Sequence, residues 1–399
     1  MDDTTDTGIV VVGGGLAAAR AIEELRAQEY SGPVTLVAAE AVLPYERPVL
    51  SKGYLLGSDP ADSAFVHDQQ WFDDHDVQVL LGDAAAAVDT ANHQLTTASG
   101  KTIGYRKLLL ATGSEPRRLP LDGVDADNVF TLRNLDDAEK INSAIGSGGP
   151  LVIIGGGWIG LEVASAARQR DVEVTVLEGA ELPLLAVLGS EVAEVFAGLH
   201  REHGVNLVTN AKVTGLQVND GKVSAVTTEQ DSYPAAAVVI GIGAAPRLEL
   251  AESAGLDVDG GVLTNASLQT SDPDVYAVGD IAAVDHPQLG RVRVEHWAWA
   301  NDSGPVAGRA LLGQEATVDF LPFFFSDQYD LGMEYIGYVP QGSNPQVELR
   351  GDVAGRAFAA YWVVDGRVTA GMHANLWDTG IDPIKEIVLA GDPGAIPKD

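Results

Sequence analysis

The chain of 399 residues contains no cysteine, so neither a disulfide nor a thiolate metal site can form. Enzymes that work through a redox-active dithiol, such as disulfide reductases and cysteine-based peroxidases, are excluded on the same ground. The absence is compatible with a chain that stays in the reducing cytoplasm, which is the location we expect.

Basic residues are also scarce, since 25 Lys and Arg stand against 57 Asp and Glu and give a net charge of −32. Nucleic acids and anionic membranes are bound by clustered Lys and Arg, so the balance argues against both as partners. Solubility or adaptation to salt explains the excess of acid more simply.

Long hydrophobic runs are missing as well. The longest, residues 235–245, is too short and too glycine-rich to cross a bilayer. The first eight residues carry acid where an export signal carries base, which predicts no export signal. A chain of 399 residues with 46% hydrophobic residues is long enough for two or three domains.

The chain contains one sequence pattern that occurs twice. It consists of an apolar run, three glycines and a predicted helix rich in small residues. It reads IVVVGGGLAAARAI over residues 9–22 and LVIIGGGWIGLEVA over residues 151–164. Each apolar run is predicted to be a buried strand that is followed by a helix and a second strand. The predicted helices are 16–30 and 158–169, and the predicted second strands are 34–38 and 172–178.

The glycine clusters match loops that bind the pyrophosphate of a dinucleotide. Residues 13–18 fit G-x-G-x-x-A and residues 155–160 fit G-x-G-x-x-G. The glycines allow a tight turn and a close approach of the pyrophosphate, and the helix amides face its charge. An acid about 20 residues further on binds the ribose, and Glu40 and Glu178 stand there. The alternative is a glycine-rich turn that binds nothing.

The predicted contacts of the first loop are Gly13, Gly15, Leu16, Ala17, Ala18 and Glu40, and those of the second are Gly155, Gly157, Trp158, Ile159, Gly160 and Glu178. Two such sites indicate a flavin enzyme that a pyridine nucleotide reduces, with FAD at the first loop and NAD(P)H at the second. Glu178 would repel a 2′-phosphate, so we expect NADH rather than NADPH.

The rest of the chain predicts a helical region near residues 60–75 and apolar strands within 107–120, 236–247 and 271–280. From Pro322 onward the pattern favours antiparallel strands, with a hairpin turn at Asp365–Gly366. These strands fall at 333–339 and within 357–376, and a closing helix is predicted at 381–391.

Several of these stretches are shared with a known family: LPYERPVLSKGYL (43–55), ATGSEPR (111–117), GGGWIGLEVA (155–164), YAVGDIA (276–282), VRVEHWAWA (292–300) and FFFSDQYDLGMEYIG (323–337). With them the chain resembles the NADH-dependent, FAD-containing ferredoxin reductases of the putidaredoxin, rhodocoxin and biphenyl-dioxygenase type. That family serves oxygenases and is related to apoptosis-inducing factor.

The resemblance implies an α/β fold with two Rossmann-like dinucleotide-binding domains and a C-terminal α+β domain. The FAD domain would comprise residues 1–115 and 247–320, the NADH domain 116–246 and the C-terminal reductase domain 321–399. It also implies an FAD-dependent NADH:ferredoxin oxidoreductase whose partner is a [2Fe–2S] ferredoxin. No metal site of the chain's own is implied.

Site residues follow from the same resemblance. The further FAD contacts would be Arg47, Lys52, Ala85, Arg133, Asp280, His296 and Trp297. Lys52 and Glu162 would form the catalytic ion pair beside the flavin ring, where the lysine favours negative charge on the reduced flavin. The alternatives are core packing for Trp297, a solvated charge for Arg133 and an ordinary buried pair for Lys52 and Glu162.

Two functional alternatives remain open. One is an NADH:rubredoxin or NADH:quinone reductase, and the other is an NADH-sensing flavoprotein that resembles apoptosis-inducing factor. The ferredoxin would dock either on a basic patch of Arg291, Arg293 and Arg309 or on apolar residues between Phe323 and Phe325.

Overall fold

The computed structural model describes residues 7–398. Most of the acidic N-terminal segment, from which we predicted no export signal, lies outside this range. The described residues form two compact units. One comprises residues 7–46, 64–115 and 245–322, and the other comprises 47–63, 116–244 and 323–398. The three-domain boundaries given above stay a prediction.

The first unit is built around a five-stranded parallel sheet in the order β19-β7-β1-β2-β3. Its strands are β1 (Ile9–Val12), β2 (Val34–Val37), β3 (Val77–Leu80), β7 (Lys107–Leu110) and β19 (Val275–Ala277). Helices α1 (Leu16–Ala27) and α9 (Trp297–Leu311) pack together, with Arg20 Nε donating to Asn301 Oδ1 at 2.9 Å. Strands β1, β2 and β19 are fully buried, as in a covered parallel sheet, whereas the edge strand β3 buries only its first residue.

Smaller elements complete this unit. A three-stranded antiparallel sheet and a second three-stranded sheet accompany two short helices. These elements are β4 (Ala85–Asp89), β5 (Gln94–Thr97), β6 (Thr102–Gly104), β18 (Val262–Thr264), β20 (Ala282–His286), β21 (Gly290–Val292), α4 (Gln69–Asp74) and α8 (Glu249–Ser253). A single 3₁₀ turn covers Gly279–Ile281, and another, Ala61–Ala64, lies where the chain returns to this unit. Two short strands, β8 (Ser114–Pro116) and β17 (Ala244–Pro246), lie where the chain passes from one unit to the other.

The second unit repeats the parallel plan in the order β12-β11-β10-β16-β9. The strands are β9 (Val129–Phe130), β10 (Leu151–Ile154), β11 (Val174–Leu177), β12 (Asn206–Val208) and β16 (Ala237–Ile240). Its helices are α2 (Pro48–Ser51), α3 (Gly53–Leu56), α5 (Leu135–Ser147), α6 (Trp158–Gln169) and α7 (Leu185–Glu202). A three-stranded antiparallel sheet holds β13 (Val213–Asn219), β14 (Lys222–Thr228) and β15 (Ser232–Pro234).

The C-terminal part of the second unit is a five-stranded antiparallel sheet in the order β22-β23-β26-β25-β24. Its strands are β22 (Phe323–Gln328), β23 (Leu331–Gly337), β24 (Gln346–Asp352), β25 (Ala357–Val364) and β26 (Arg367–Ala374), followed by α10 (Asp382–Ala390) and a 3₁₀ turn at Pro393–Ala395. Met333, Phe358 and Trp362 pack in one cluster with Phe196 of α7. The sheet and α7 therefore share a core.

The predicted fold class is confirmed, with two Rossmann-like parallel sheets and a C-terminal sheet with its helix. The Asp365–Gly366 hairpin is also observed, and both residues have positive φ (49° and 74°). The first helix is shorter than predicted, because Glu29 adopts φ 57° and ends the helical path before residue 30.

Candidate functional site: two dinucleotide loops and a buried ion pair

The first glycine loop joins β1 to α1. Gly13 has φ 122°, and a Cβ atom there would lie 2.1 Å from the carbonyl oxygen of Ala111, so only glycine fits. Gly15 is the N-cap of α1 and offers no side chain to cover the first helical amides. Leu16, Ala17 and Ala18 turn their side chains into the core, which leaves their backbone N–H groups to meet a phosphate.

The second loop has the same construction between β10 and α6. A Cβ atom on Gly160 would lie 2.2 Å from the carbonyl oxygen of Gly155, so the helix can start this close to the loop only with glycine there. Gly157 is the N-cap. The Trp158 ring packs edge-on against Phe196 and Phe324, whereas Ile159 is 42% exposed. Any contact of Trp158 with a dinucleotide is therefore through its backbone.

The two predicted ribose acids lie just beyond the carboxyl ends of β2 and β11. Glu178 accepts hydrogen bonds from the backbone N–H of Gly156 at 2.5 Å and of Ala180 at 2.7 Å. Its carboxylate therefore lies against the second glycine of the loop. Glu40 accepts a hydrogen bond from the hydroxyl of Tyr45 at 2.6 Å. Both carboxylates are held in place at the end of a strand, where a ribose is bound in folds of this type.

Asp280 belongs to the same edge of the first sheet as the first loop. It follows β19, which runs parallel to β7 and β1, so the carboxyl ends of these strands meet. A Cβ atom on Gly279 would lie 3.1 Å from that of Ala17. Ala85 lies at the start of β4, shortly after Gly82, whose N–H donates to the carbonyl of Glu40 at 2.9 Å.

His296 and Trp297 begin α9, with His296 as the N-cap. Burial lowers the pKa of His296 from its ordinary value, and the nearby carboxylates of Asp280 and Glu295 offset part of this shift. The imidazole is therefore neutral at neutral pH. Asp280, His296 and Trp297 all belong to the first unit, which also carries the first glycine loop.

Lys52 and Glu162 come together within the second unit. Lys52 Nζ lies 2.9 Å from Glu162 Oε1, and the glutamate side chain is only 5% exposed. The lysine also lies over the Phe325 ring, 5.4 Å from its centre. Lys52 joins α2 to α3 with a non-helical backbone (φ −116°, ψ −108°), which separates the two short helices. Nearby, Arg47 Nε donates to the carbonyl of Arg133 at 3.0 Å.

Two serines that were not predicted from the sequence also contact this pair. Ser51 Oγ donates to Glu162 Oε2, and Ser326 Oγ donates to Glu162 Oε1 at 2.7 Å. Both serines lie inside stretches quoted above for the family resemblance. A serine at an otherwise apolar position of those stretches could have indicated a buried hydrogen-bonding role.

Both loops fit the cofactors that the sequence predicts, because each combines a glycine cradle, an open helix start and a fixed acid. Among residues 7–398, no cluster of His, Asp or Glu could hold a metal ion. The helices in that part of the chain include none that is long and apolar enough to cross a membrane. Fold and site together define a class: an oxidoreductase with one FAD site and one pyridine-nucleotide site.

Comparison with known proteins gives the family. Residues 7–304 match the model of the pyridine nucleotide-disulphide oxidoreductase family, and the chain belongs to that family. The chain is therefore an oxidoreductase that uses FAD and NAD(H). Since it has no cysteine, the dithiol chemistry in the family's name is not open to it.

Individual relatives are close over nearly their whole length. The chain is 37% identical to the ferredoxin–NAD(+) reductase component of the anthranilate 1,2-dioxygenase system of Burkholderia cepacia, covering 96% of this chain and 94% of the relative. It is 36% identical to rhodocoxin reductase of Rhodococcus erythropolis, covering 90% and 84%. Among solved structures, the covalent putidaredoxin reductase–putidaredoxin complex matches with a TM-score of 0.91 and 34% identity over 98% of this chain and 96% of that one. The family resemblance is thus confirmed.

Proposed function

We propose that this chain is an FAD-dependent NADH:ferredoxin oxidoreductase that passes electrons to a [2Fe–2S] ferredoxin serving an oxygenase. The observation that carries the proposal is the pair of dinucleotide loops in a chain without cysteine. Such a chain has the flavin as its redox group between NADH and the acceptor. Relatives that are ferredoxin reductases over nearly the whole chain support this choice of acceptor.

The chemistry that FAD supplies when bound is acceptance of a hydride from NADH and release of single electrons to the acceptor. The protein's part is binding and electrostatics. We assign the amides of α1 to the FAD pyrophosphate and Glu40 to its ribose, with Asp280 at the same edge of the sheet.

The second loop selects the nucleotide. The Glu178 carboxylate lies beside Gly156 and accepts two backbone hydrogen bonds, so its charge is fixed in place. It would accept hydrogen bonds from ribose hydroxyls and repel a 2′-phosphate. NADH is therefore the nucleotide that we propose.

Lys52 would act on the flavin ring through its charge. A positive group beside the ring stabilises the negative charge that develops during reduction. The Glu162 carboxylate holds the lysine ammonium in place, and the Phe325 ring contacts the same cation from another side. Neither residue has to transfer a proton for this role.

The structure weakens the case for a basic docking patch. Arg293 pairs with Glu295, and Arg309 Nη1 lies 3.1 Å from Glu24 Oε1. Arg291 donates to the carbonyls of Thr264 and Ala283 at 2.7 and 2.8 Å. Because two of the three charges are already compensated, we favour an apolar docking surface that includes Phe323 and Phe325. A cytoplasmic location also belongs to this proposal, in keeping with the missing cysteines.

The proposal is tested by an acceptor screen. NADH oxidation is followed with a [2Fe–2S] ferredoxin, a rubredoxin, a quinone and a cytochrome, each compared with the rate in oxygen alone. We expect the ferredoxin to give the largest acceleration. A larger acceleration by rubredoxin or quinone would assign the chain to those acceptors. Slow oxidation with every acceptor and a long-lived charge-transfer band would favour an NADH-sensing flavoprotein.

A further inference from the structure

The Glu162 carboxylate is buried, yet three side chains donate hydrogen bonds to it. Lys52 Nζ and Ser326 Oγ lie 2.9 and 2.7 Å from Oε1, and the Ser51 hydroxyl contacts Oε2. Ser51 and Ser326 are 3% and 1% exposed, so water does not compete for these bonds. A buried carboxylate costs much free energy unless it is paired and fully hydrogen-bonded.

The contacts continue from Ser326 into the core. Gln328 Nε2 lies 3.1 Å from Ser326 Oγ, and Gln328 Oε1 lies 2.8 Å from His200 Nε2. Gln328 and His200 are 1% and 0% exposed. Ser326 and Gln328 are two residues apart on β22, so both point to the face that packs on α6 and α7. Glu162, Ser326, Gln328 and His200 thus form one continuous buried chain of polar side chains.

The direction of this chain follows from counting protons. A carboxylate paired with Lys52 can only accept, so the single hydroxyl proton of Ser326 is donated to Glu162. Gln328 must then present its NH₂ group to Ser326 and its carbonyl oxygen to His200. His200 in turn must carry its proton on Nε2. Every donor therefore points toward Glu162.

We propose that Ser51, Ser326, Gln328 and His200 are positioning residues of the Lys52–Glu162 pair. Their donors hold the Glu162 carboxylate turned toward Lys52, and so fix the position of the lysine charge. The inference rests on the proposed function only for the final step, the action of Lys52 on the flavin. None of the four residues has to touch a cofactor or substrate.

The protonation and the contacts of His200 support the proposed direction of the hydrogen bonds. Burial lowers the pKa of His200 to about 4, although the hydrogen bond with Gln328 acts to raise it, so the ring is neutral at neutral pH. A neutral imidazole has one N–H, and the proton count places it on Nε2. The Tyr329 hydroxyl lies 3.5 Å from Nδ1, on the side that is left as the acceptor. His203, which stacks on Tyr329, is the other titratable neighbour.

The first test deletes the link next to Glu162. Ser326→Ala is compared with Ser165→Ala, a buried serine on the same helix as Glu162. Ser165 Oγ accepts bonds from the Tyr329 backbone and the Gln169 side chain instead. We expect Ser326→Ala to slow flavin reduction by NADH about tenfold, the effect of one hydrogen bond to a charged group. It should also make the midpoint potential of the bound flavin more negative, and Ser326→Thr should restore much of both.

The control should change neither quantity beyond a small effect on thermal stability. If Ser326→Ala and Ser165→Ala behave alike in reduction rate and in potential, the serine is structural and the proposal is wrong. If the wild-type holoenzyme is not reduced by NADH at all, the proposed function fails instead. The two failures are therefore distinguishable.

A second test examines the direction of the chain and does not depend on turnover. In the wild-type holoenzyme labelled with ¹⁵N-histidine, NMR should show His200 as the neutral Nε2–H tautomer at pH 7. An Nδ1–H tautomer would overturn the proposed direction. In Gln328→Glu, a carboxylate oxygen replaces the NH₂ group that faces Ser326, so both atoms of the group are acceptors. The Ser326 hydroxyl should then donate to this carboxylate instead of to Glu162. This variant should shift the flavin potential as Ser326→Ala does, although the serine is intact. An unchanged potential would count against the proposal.

Discussion

At the scale of single residues, the buried charge of Glu162 depends on a few side chains that contact it. A buried ion pair gains Coulomb energy but loses the hydration of both charges, and the loss often exceeds the gain. The pair with Lys52 is accompanied by two serine hydroxyls, which replace part of the lost hydration. Removing one partner therefore leaves a charge that the remaining groups cannot fully solvate.

Lys52→Met tests the lysine directly. The methionine keeps most of the length of the side chain and removes the charge, so flavin reduction by NADH should slow by about 100-fold while FAD stays bound. Rapid-mixing kinetics and the flavin potential give the answer. Lys385→Met, at an exposed lysine of α10, is the control. Unchanged kinetics and potential in Lys52→Met would mean that Lys52 is structural.

His200 predicts a specific pH dependence of stability. Its pKa is about 4 in the folded protein against an ordinary 6.5, so folding favours the neutral ring. The contribution of the neutral ring to the free energy of unfolding is complete above pH 6.5 and is lost as the pH falls toward 4. The free energy of unfolding should thus drop by about 2 kcal/mol between pH 7 and pH 5 on this account alone.

The measurement compares urea unfolding of wild type and His200→Gln at both pH values. The variant is expected to be less stable at pH 7, but to lose less stability on acidification. The control is His93→Gln, at a side chain that is 41% exposed. It should lose as much stability between pH 7 and pH 5 as the wild type does. An equal loss in wild type and His200→Gln would contradict the account.

At the scale of elements, the sequence predicts what hydrophobic periodicity and glycine spacing determine. The strands β1, β10 and β16 are continuous apolar runs, and the helices after the glycine loops have clear starts. The antiparallel sheet of β4 to β6 was not predicted, because strands such as Ala85–Asp89 bury only one side chain fully and show no clear alternation. The short helices around Lys52 were missed because four residues carry too little periodicity.

The same limit applies to the site. The glycine loops, Glu40 and Glu178 could be located from spacing alone, since a β-strand, a turn and a helix fix their geometry. The contact of Ser326 with Glu162 joins residues 164 apart in sequence. Such pairings depend on how β22 packs on α6, which no local pattern encodes.

The end of β11 offers a test at this scale. Glu178→Gln keeps an acceptor for the Gly156 N–H but removes the charge, whereas Glu178→Ala removes both. With the repulsion gone, Glu178→Gln should narrow the preference for NADH over NADPH by about tenfold in kcat/KM. Glu178→Ala should narrow it similarly and also weaken binding of both nucleotides. A preference that stays at the wild-type value in both variants would contradict the role of Glu178.

For the whole molecule, the net charge of −32 governs the encounter with a partner. Many ferredoxins are acidic, so long-range electrostatics would oppose association. Exposed charges are screened over about 10 Å at 0.1 M salt. With apolar docking, the KM for ferredoxin should therefore stay flat or fall as salt increases from low to moderate concentration. A KM that rises with salt would instead support a basic patch, and Arg291→Gln should then raise it further.

The electron balance tests the central claim most directly. NADH delivers two electrons, and a [2Fe–2S] ferredoxin accepts one. In an anaerobic experiment with a catalytic amount of the FAD-loaded protein and excess oxidised ferredoxin, each NADH consumed should reduce two ferredoxin molecules. The same experiment with the Lys52→Met variant should reach the same ratio more slowly. NADH consumption without ferredoxin reduction, or no NADH consumption above that of free FAD, would contradict the account.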